Sequence, residues 1–153
     1  TLITGLAFPD HGLTAMQGNV QFLATYPLTM VSLEELLRES DFISVNCDLN
    51  PTSFHLLNDD TFARMKPGTV VVNTARGPII DEAALVRALQ SGHLGGAGLD
   101  VFEHEPLPAD SPLRQMDNVM LAPHNSNSSP EAWERVHLNT IRNLLDVLEA
   151  SES

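Results

Sequence analysis

Short apolar runs alternate along the chain with stretches whose apolar residues recur at helical spacing, a pattern that predicts strands and helices in turn. Strands are expected over residues 2–6, 20–25, 42–46, 69–73, 96–101 and 119–122. The run Val70, Val71, Val72 is the clearest of them, and residues 42–46 are apolar enough to expect cover on both faces. Ser32 with Glu35 three positions on reads as a capping box, opening a short helix that ends near Ser40. Asn58 caps a second helix running to Met65, after which Lys66-Pro67-Gly68 turns the chain. Asp81 opens a third, with Ala84, Leu85, Ala88 and Leu89 on one face and Gly92 as its stop. Ser129 followed by Pro130 caps a long final helix with an apolar stripe of Trp133, Val136, Ile141, Leu144 and Leu148. Such alternation of strand and helix implies an α/β protein built on a parallel sheet.

Composition narrows the chemistry. The 153 residues suit one domain, and 42% hydrophobic with 18% charged residues suits a globular one. A formal charge of −12 argues against a nucleic-acid partner and against an anionic membrane surface. The single cysteine, Cys47, excludes an internal disulfide framework, and no ligand pair has zinc-site spacing, so no metal site is expected. No apolar run is long enough to cross a bilayer and no basic-then-apolar leader opens the chain, which together lead to the expectation of a cytoplasmic protein without membrane partners.

Parallel sheets bind ligands at the carboxyl ends of their strands, here residues 46–53, 73–78, 100–106 and 123–129. Three of these segments carry recognisable motifs. Residues 69–80 centre on Asn73-Thr74-Ala75-Arg76-Gly77. The second runs Gly96-Ala97-Gly98-Leu99-Asp100-Val101-Phe102-Glu103-His104-Glu105-Pro106. The third runs from Asn118-Val119 through Pro123-His124. In this order and spacing they resemble the signatures of the D-isomer-specific 2-hydroxyacid dehydrogenases, over a stretch from about Ser32 to the end of the long helix. The resemblance implies a Rossmann-like, doubly wound parallel sheet, truncated, with a long C-terminal helix. Residues 1–150 would form the NAD(P)-binding domain, with its first βα units degenerate or shortened and no counterpart of the family's N-terminal substrate domain. Residues 151–153 are expected to fray.

The resemblance also implies a reaction, the NAD(P)-dependent interconversion of a D-2-hydroxy acid and a 2-oxo acid. Arg76 matches the arginine whose planar fork suits a carboxylate and its neighbouring carbonyl. His124 matches the acid/base histidine, and Glu105 its carboxylate partner. Gly5, Asn46, Asp48, Thr74, Ala75, Arg76, Asp100 and His124 would line the cofactor, NAD being favoured over NADP. The partners implied are a small 2-hydroxy or 2-oxo acid and a second copy of the chain in a homodimer. A non-catalytic NAD-binding or dimerisation module, as in the co-repressor branch of the family, is the alternative. His104 is expected to be exposed, and His11, His55, His93 and His137 to serve surface or packing roles. Cys47 is expected to be inert.

Elsewhere the chain departs from the family pattern. A dinucleotide fingerprint needs glycines where the backbone meets the pyrophosphate. The nearest candidate, Gly5-Leu6-Ala7-Phe8-Pro9-Asp10, puts Ala7 and Asp10 at the later glycine positions. The stretch Ala24-Thr25-Tyr26-Pro27 lacks the acidic residue that usually accepts the ribose hydroxyls. Asn46, Asp48 and Asn50 stand where the family prefers a histidine, a proline and a threonine. Weak dinucleotide binding is the expectation.

Overall fold

Period-two burial along the strands sets the architecture. In Phe42–Val45 the side chains of Ile43 and Val45 are buried, and in Val70–Asn73 those of Val71 and Asn73. A computed structural model describes residues 5–6, 29, 31–125 and 128–151. Among these residues five parallel strands form a sheet: β1 (Gly5–Leu6), β2 (Phe42–Val45), β3 (Val70–Asn73), β4 (Gly96–Leu99) and β5 (Val119–Leu121). They lie side by side in chain order. The strand expected over residues 20–25, and most of that expected over 2–6, lie outside the described residues.

Helices α1 (Leu33–Glu39), α2 (Asp59–Arg64) and α3 (Glu82–Gln90) join consecutive strands and share one core with the inward side chains. Leu37, Phe62 and Leu85 pack there with Ile43, Val71 and Leu99, all almost completely buried. Each helix starts where a short polar side chain takes up an otherwise unpaired N–H. Ser32 accepts from Glu35 N–H, Asn58 from Asp60 and Thr61 N–H, and Asp81 from Ala84 N–H. The full reciprocal box forms at Asn58 and Thr61. The chain leaves α3 through Gly92, whose φ of 73° favours glycine.

One expectation about burial is corrected. Among the described residues, residues 42–46 are covered on one face: the helical core lies against the Ile43 and Val45 side, and Phe42 is 46% exposed. The final helix α4 (Pro130–Ser151) forms as expected, yet its apolar stripe stays open, with Trp133 and Ile141 each 56% exposed. Helical spacing fixes which residues share a face, not what covers it. The helix runs to Ser151, and residues 152–153 lie outside the described residues.

The register brings the strand ends level. Val45 pairs with Asn73, Asn73 with Leu99 and Leu99 with Leu121, so the last rung of four strands is one row. The segments that follow therefore leave the sheet along a single edge.

Candidate active site

The edge after β2, β3 and β4 is built on side chains that turn back into the protein. Asn73 shares the buried face with Val71 and is 1% exposed. Its Oδ1 accepts from Ala75 N–H at 3.0 Å and its Nδ2 donates to the Arg76 carbonyl at 2.9 Å. This closes the turn that displays Thr74, Ala75 and Arg76. Gly77 follows because nothing larger fits. A Cβ there would lie 1.8 Å from the Phe102 carbonyl oxygen, so two backbones meet flush.

After β4, Asp100 N–H donates to the Asn73 carbonyl at 3.0 Å, and the buried Asp100 carboxylate accepts from Asn125 N–H at 2.9 Å. That bond holds the loop carrying His124, whose φ of 55° places it in the left-handed region, at a cost of about 1 kcal/mol. His124 Nδ1 and Glu105 Oε2 stand 2.8 Å apart. The other carboxylate oxygen, Oε1, accepts from Phe102 N–H at 3.0 Å. These contacts hold the Glu105 carboxyl below the usual glutamate range: the bond to His124 contributes most, the Phe102 N–H next, and the Arg76 charge adds to them. The pair remains open to solvent, with 44% of the His124 side chain and 37% of that of Glu105 exposed.

Beside the pair, Asn46, Cys47, Asp48, Leu49, Thr74, Ala75 and Arg76 line an open cleft of about 660 Å³. Polar and apolar side chains share its lining. The Cys47 thiol is buried and its pKa is raised by that burial. Asn46 Nδ2 donates to Ser44 Oγ at 2.8 Å, and Asp48 Oδ2 accepts from Asn50 Nδ2 at 2.9 Å. Arg76 Nη1 donates to the Ala75 carbonyl at 2.7 Å. Amide, hydroxyl, carboxylate and guanidinium groups beside the apolar Ala75 and Leu49 offer hydrogen-bonding partners for a ligand that carries a carboxamide.

The structure thus gathers Asn46, Asp48, Thr74, Ala75 and Arg76 in one cleft and joins Glu105 to His124. Asp100 anchors the His124 loop from below, and Gly5 pairs with Ile43 in β1. Ala7 and Asp10 lie outside the described residues. His104 is exposed as expected, whereas His55 is more than a surface group: its Nε2 stands 2.9 Å from Glu103 Oε1. Asn73 and Gly77 were not anticipated as builders of the site. For Asn73 the signal was present, because strand alternation puts this polar residue on the face of Val71, where it must find partners.

Comparison with known proteins bears on the same residues. Residues 12–126 match the NAD binding domain of the D-isomer specific 2-hydroxyacid dehydrogenases. A glyoxylate reductase of Thermofilum pendens is 43% identical over 122 residues, covering 80% of this chain and 36% of its own length. A solved D-isomer specific 2-hydroxyacid dehydrogenase from Xanthobacter autotrophicus Py2, in complex with NADPH and MES, superposes with a TM-score of 0.64 at 36% identity. That match covers 80% of this chain and 44% of the other. The NAD-dependent formate dehydrogenase of Staphylococcus aureus, in complex with NAD, gives a TM-score of 0.67 at 37% identity, covering 80% and 37%. The chain spans less than half the length of each of these proteins. With its parallel sheet and its three strand-end motifs, the chain belongs to the D-isomer specific 2-hydroxyacid dehydrogenase family and matches the NAD-binding domain of that family.

Proposed function

We propose that the chain serves the NAD(P)-dependent interconversion of a 2-oxo acid and a D-2-hydroxy acid, with Arg76, Glu105 and His124 as its reacting side chains. The observation that carries this reading is the 2.8 Å contact between His124 Nδ1 and Glu105 Oε2 beside the Arg76 cleft. Asn46, Asp48, Thr74 and Ala75 would hold the nicotinamide end of the cofactor, Asp100 would act there through the His124 loop that it anchors, and Gly5 would face the phosphates. When bound, the reduced cofactor supplies a hydride to the carbonyl carbon. Arg76 holds the substrate carboxylate through its planar fork and draws on the adjacent carbonyl oxygen. Protonated His124 gives its Nε2 proton to that oxygen as negative charge builds there, while Glu105 at Nδ1 fixes the ring and steadies its charged form. In the oxidative direction neutral His124 takes the hydroxyl proton back.

The relatives named glyoxylate reductase and glyoxylate/hydroxypyruvate reductase favour a small 2-oxo acid as substrate. A homodimer in the cytoplasm is part of the same proposal; among the described residues no helix is long and apolar enough to cross a membrane. A purely binding module would have no use for a carboxylate-oriented histidine at the cleft.

Titration of the chain with NADH and NADPH, followed by fluorescence, tests the cofactor half of the reading. Saturable binding weaker than low micromolar is expected, tightening when Ala7→Gly and Asp10→Gly restore the pyrophosphate approach. Absence of binding in both the unmodified and the restored chain would contradict it.

A further inference from the structure

Glu103 lies two residues before Glu105, and its carboxylate turns the opposite way. Glu103 Oε2 accepts from Glu82 N–H at 3.1 Å, and Glu82 Oε2 accepts in return from Glu103 N–H at 3.2 Å. The first bond satisfies an N–H in the opening turn of α3, where a negative charge is also favoured by the helix dipole. His55 closes the cluster from the third side through its contact with Glu103 Oε1. The backbone between Phe102 and Glu103 is pressed on Gly77, immediately after Arg76. Placing two carboxylates side by side in a partly buried setting is costly, since each is desolvated and each repels the other. The arrangement fixes the one turn whose Phe102 N–H aims Glu105 at His124.

We propose that Glu82 and Glu103 are positioning residues: their exchanged carboxylate-to-amide bonds clamp the Phe102–Glu105 turn to the start of α3 and so set the carboxylate of Glu105 against His124. This rests on the reading of Glu105 and His124 as the acid/base pair. The clamp has a direct path to the chemistry. Loosening it frees the Phe102 amide, removes one of the two bonds that hold Glu105, and lets its carboxylate turn away from the imidazole. The charged and titratable groups around the clamp are His55 from the loop after β2, Arg76 from the end of β3, Asp81 and Glu82 from α3, and Asp100, Glu103, His104 and Glu105 from the segment after β4.

The test is an NMR titration of the 153-residue chain, following the carboxyl carbons of the glutamates and the backbone amides. The Glu82 carboxyl is pushed up by burial and then by the charge of Glu103, whereas that of Glu105 is held down. On acidification Glu82 therefore takes its proton first. In the unmodified chain, where no variant has to fold, the Phe102 amide is expected to shift in two steps, one with Glu82 and one with Glu105. A single step with Glu105 alone overturns the proposal. Glu82→Ala and Glu103→Ala are each expected to raise the Glu105 titration toward the ordinary glutamate range. Glu82→Gln, which keeps an oxygen to accept the amide, is expected to leave it nearly in place. Alanine variants that keep a folded amide spectrum and an unmoved Glu105 titration would also overturn the clamp. None of these readouts needs cofactor or turnover, so failure of the reductase reading and failure of the clamp are separately visible.

Discussion

Two sets of polar side chains occupy the same edge of the sheet in opposite environments. Asn73 and Asp100 are 1% and 4% exposed, and the bonds they make are to backbone amides and a carbonyl of the turns above them. Arg76, Glu105 and His124 stand on those turns, open to solvent and within reach of a ligand. The difference separates shaping from reacting. A buried polar group must be satisfied where it sits and so cannot move, whereas an exposed one can exchange partners as a substrate arrives. The clamp of Glu82 and Glu103 falls between, half-buried and joining the two sets.

The largest expected effect comes from removing the floor under both sets. Phe62, 1% exposed, fills the core between α2 and the sheet. Phe62→Ala should cost about 3–5 kcal/mol in chemical denaturation, through lost burial and the cavity left behind. Asn73→Ala is a narrower break. It strands the Ala75 N–H and the Arg76 carbonyl, and should cost about 1–3 kcal/mol while disordering the turn that displays Arg76. Amide exchange at Ala75 should quicken well before exchange at Val71 does. Changing Glu105 to Gln is the mildest, because the pair is open to water and its net worth to stability is well under about 1 kcal/mol. Its signature is the pH dependence. The native Glu105 pKa is lowered, so its contribution is complete above the ordinary value of about 4.3 and is lost as pH falls through the lowered native value. Glu105→Gln should flatten that acid-side loss in a melting-temperature series. Glu82 runs the other way, its raised native pKa favouring the fold as its proton is taken up.

Much of this could be read from the residues alone, for reasons that differ by element. Strands 42–46 and 69–73 were legible within a residue because β-branched runs bounded by turn residues have few alternatives, and helix starts were legible at Ser32, Asn58 and Asp81 because capping is local chemistry. Arg76, Glu105 and His124 were legible only through motif resemblance; spacing alone does not bring residues 105 and 124 to 2.8 Å. The link from His55 through Glu103 to Glu82 was not legible, since it depends on two loops meeting the start of α3 at one point. The stripe of α4 was legible as a face, but its exposure was not.

In the proposed reaction His124, oriented by Glu105 beside Arg76, moves the proton during reduction of a 2-oxo acid. Oxidation of NADH or NADPH with glyoxylate and with hydroxypyruvate, measured at neutral pH for the unmodified chain and for His124→Ala side by side, tests it most directly. The unmodified chain is expected to oxidise the cofactor only in the presence of the 2-oxo acid, on the order of a hundredfold slower or more in His124→Ala, with cofactor fluorescence titrations that superimpose. Equal rates in the two proteins, or no oxidation by the unmodified chain with either acid and either cofactor, would contradict it.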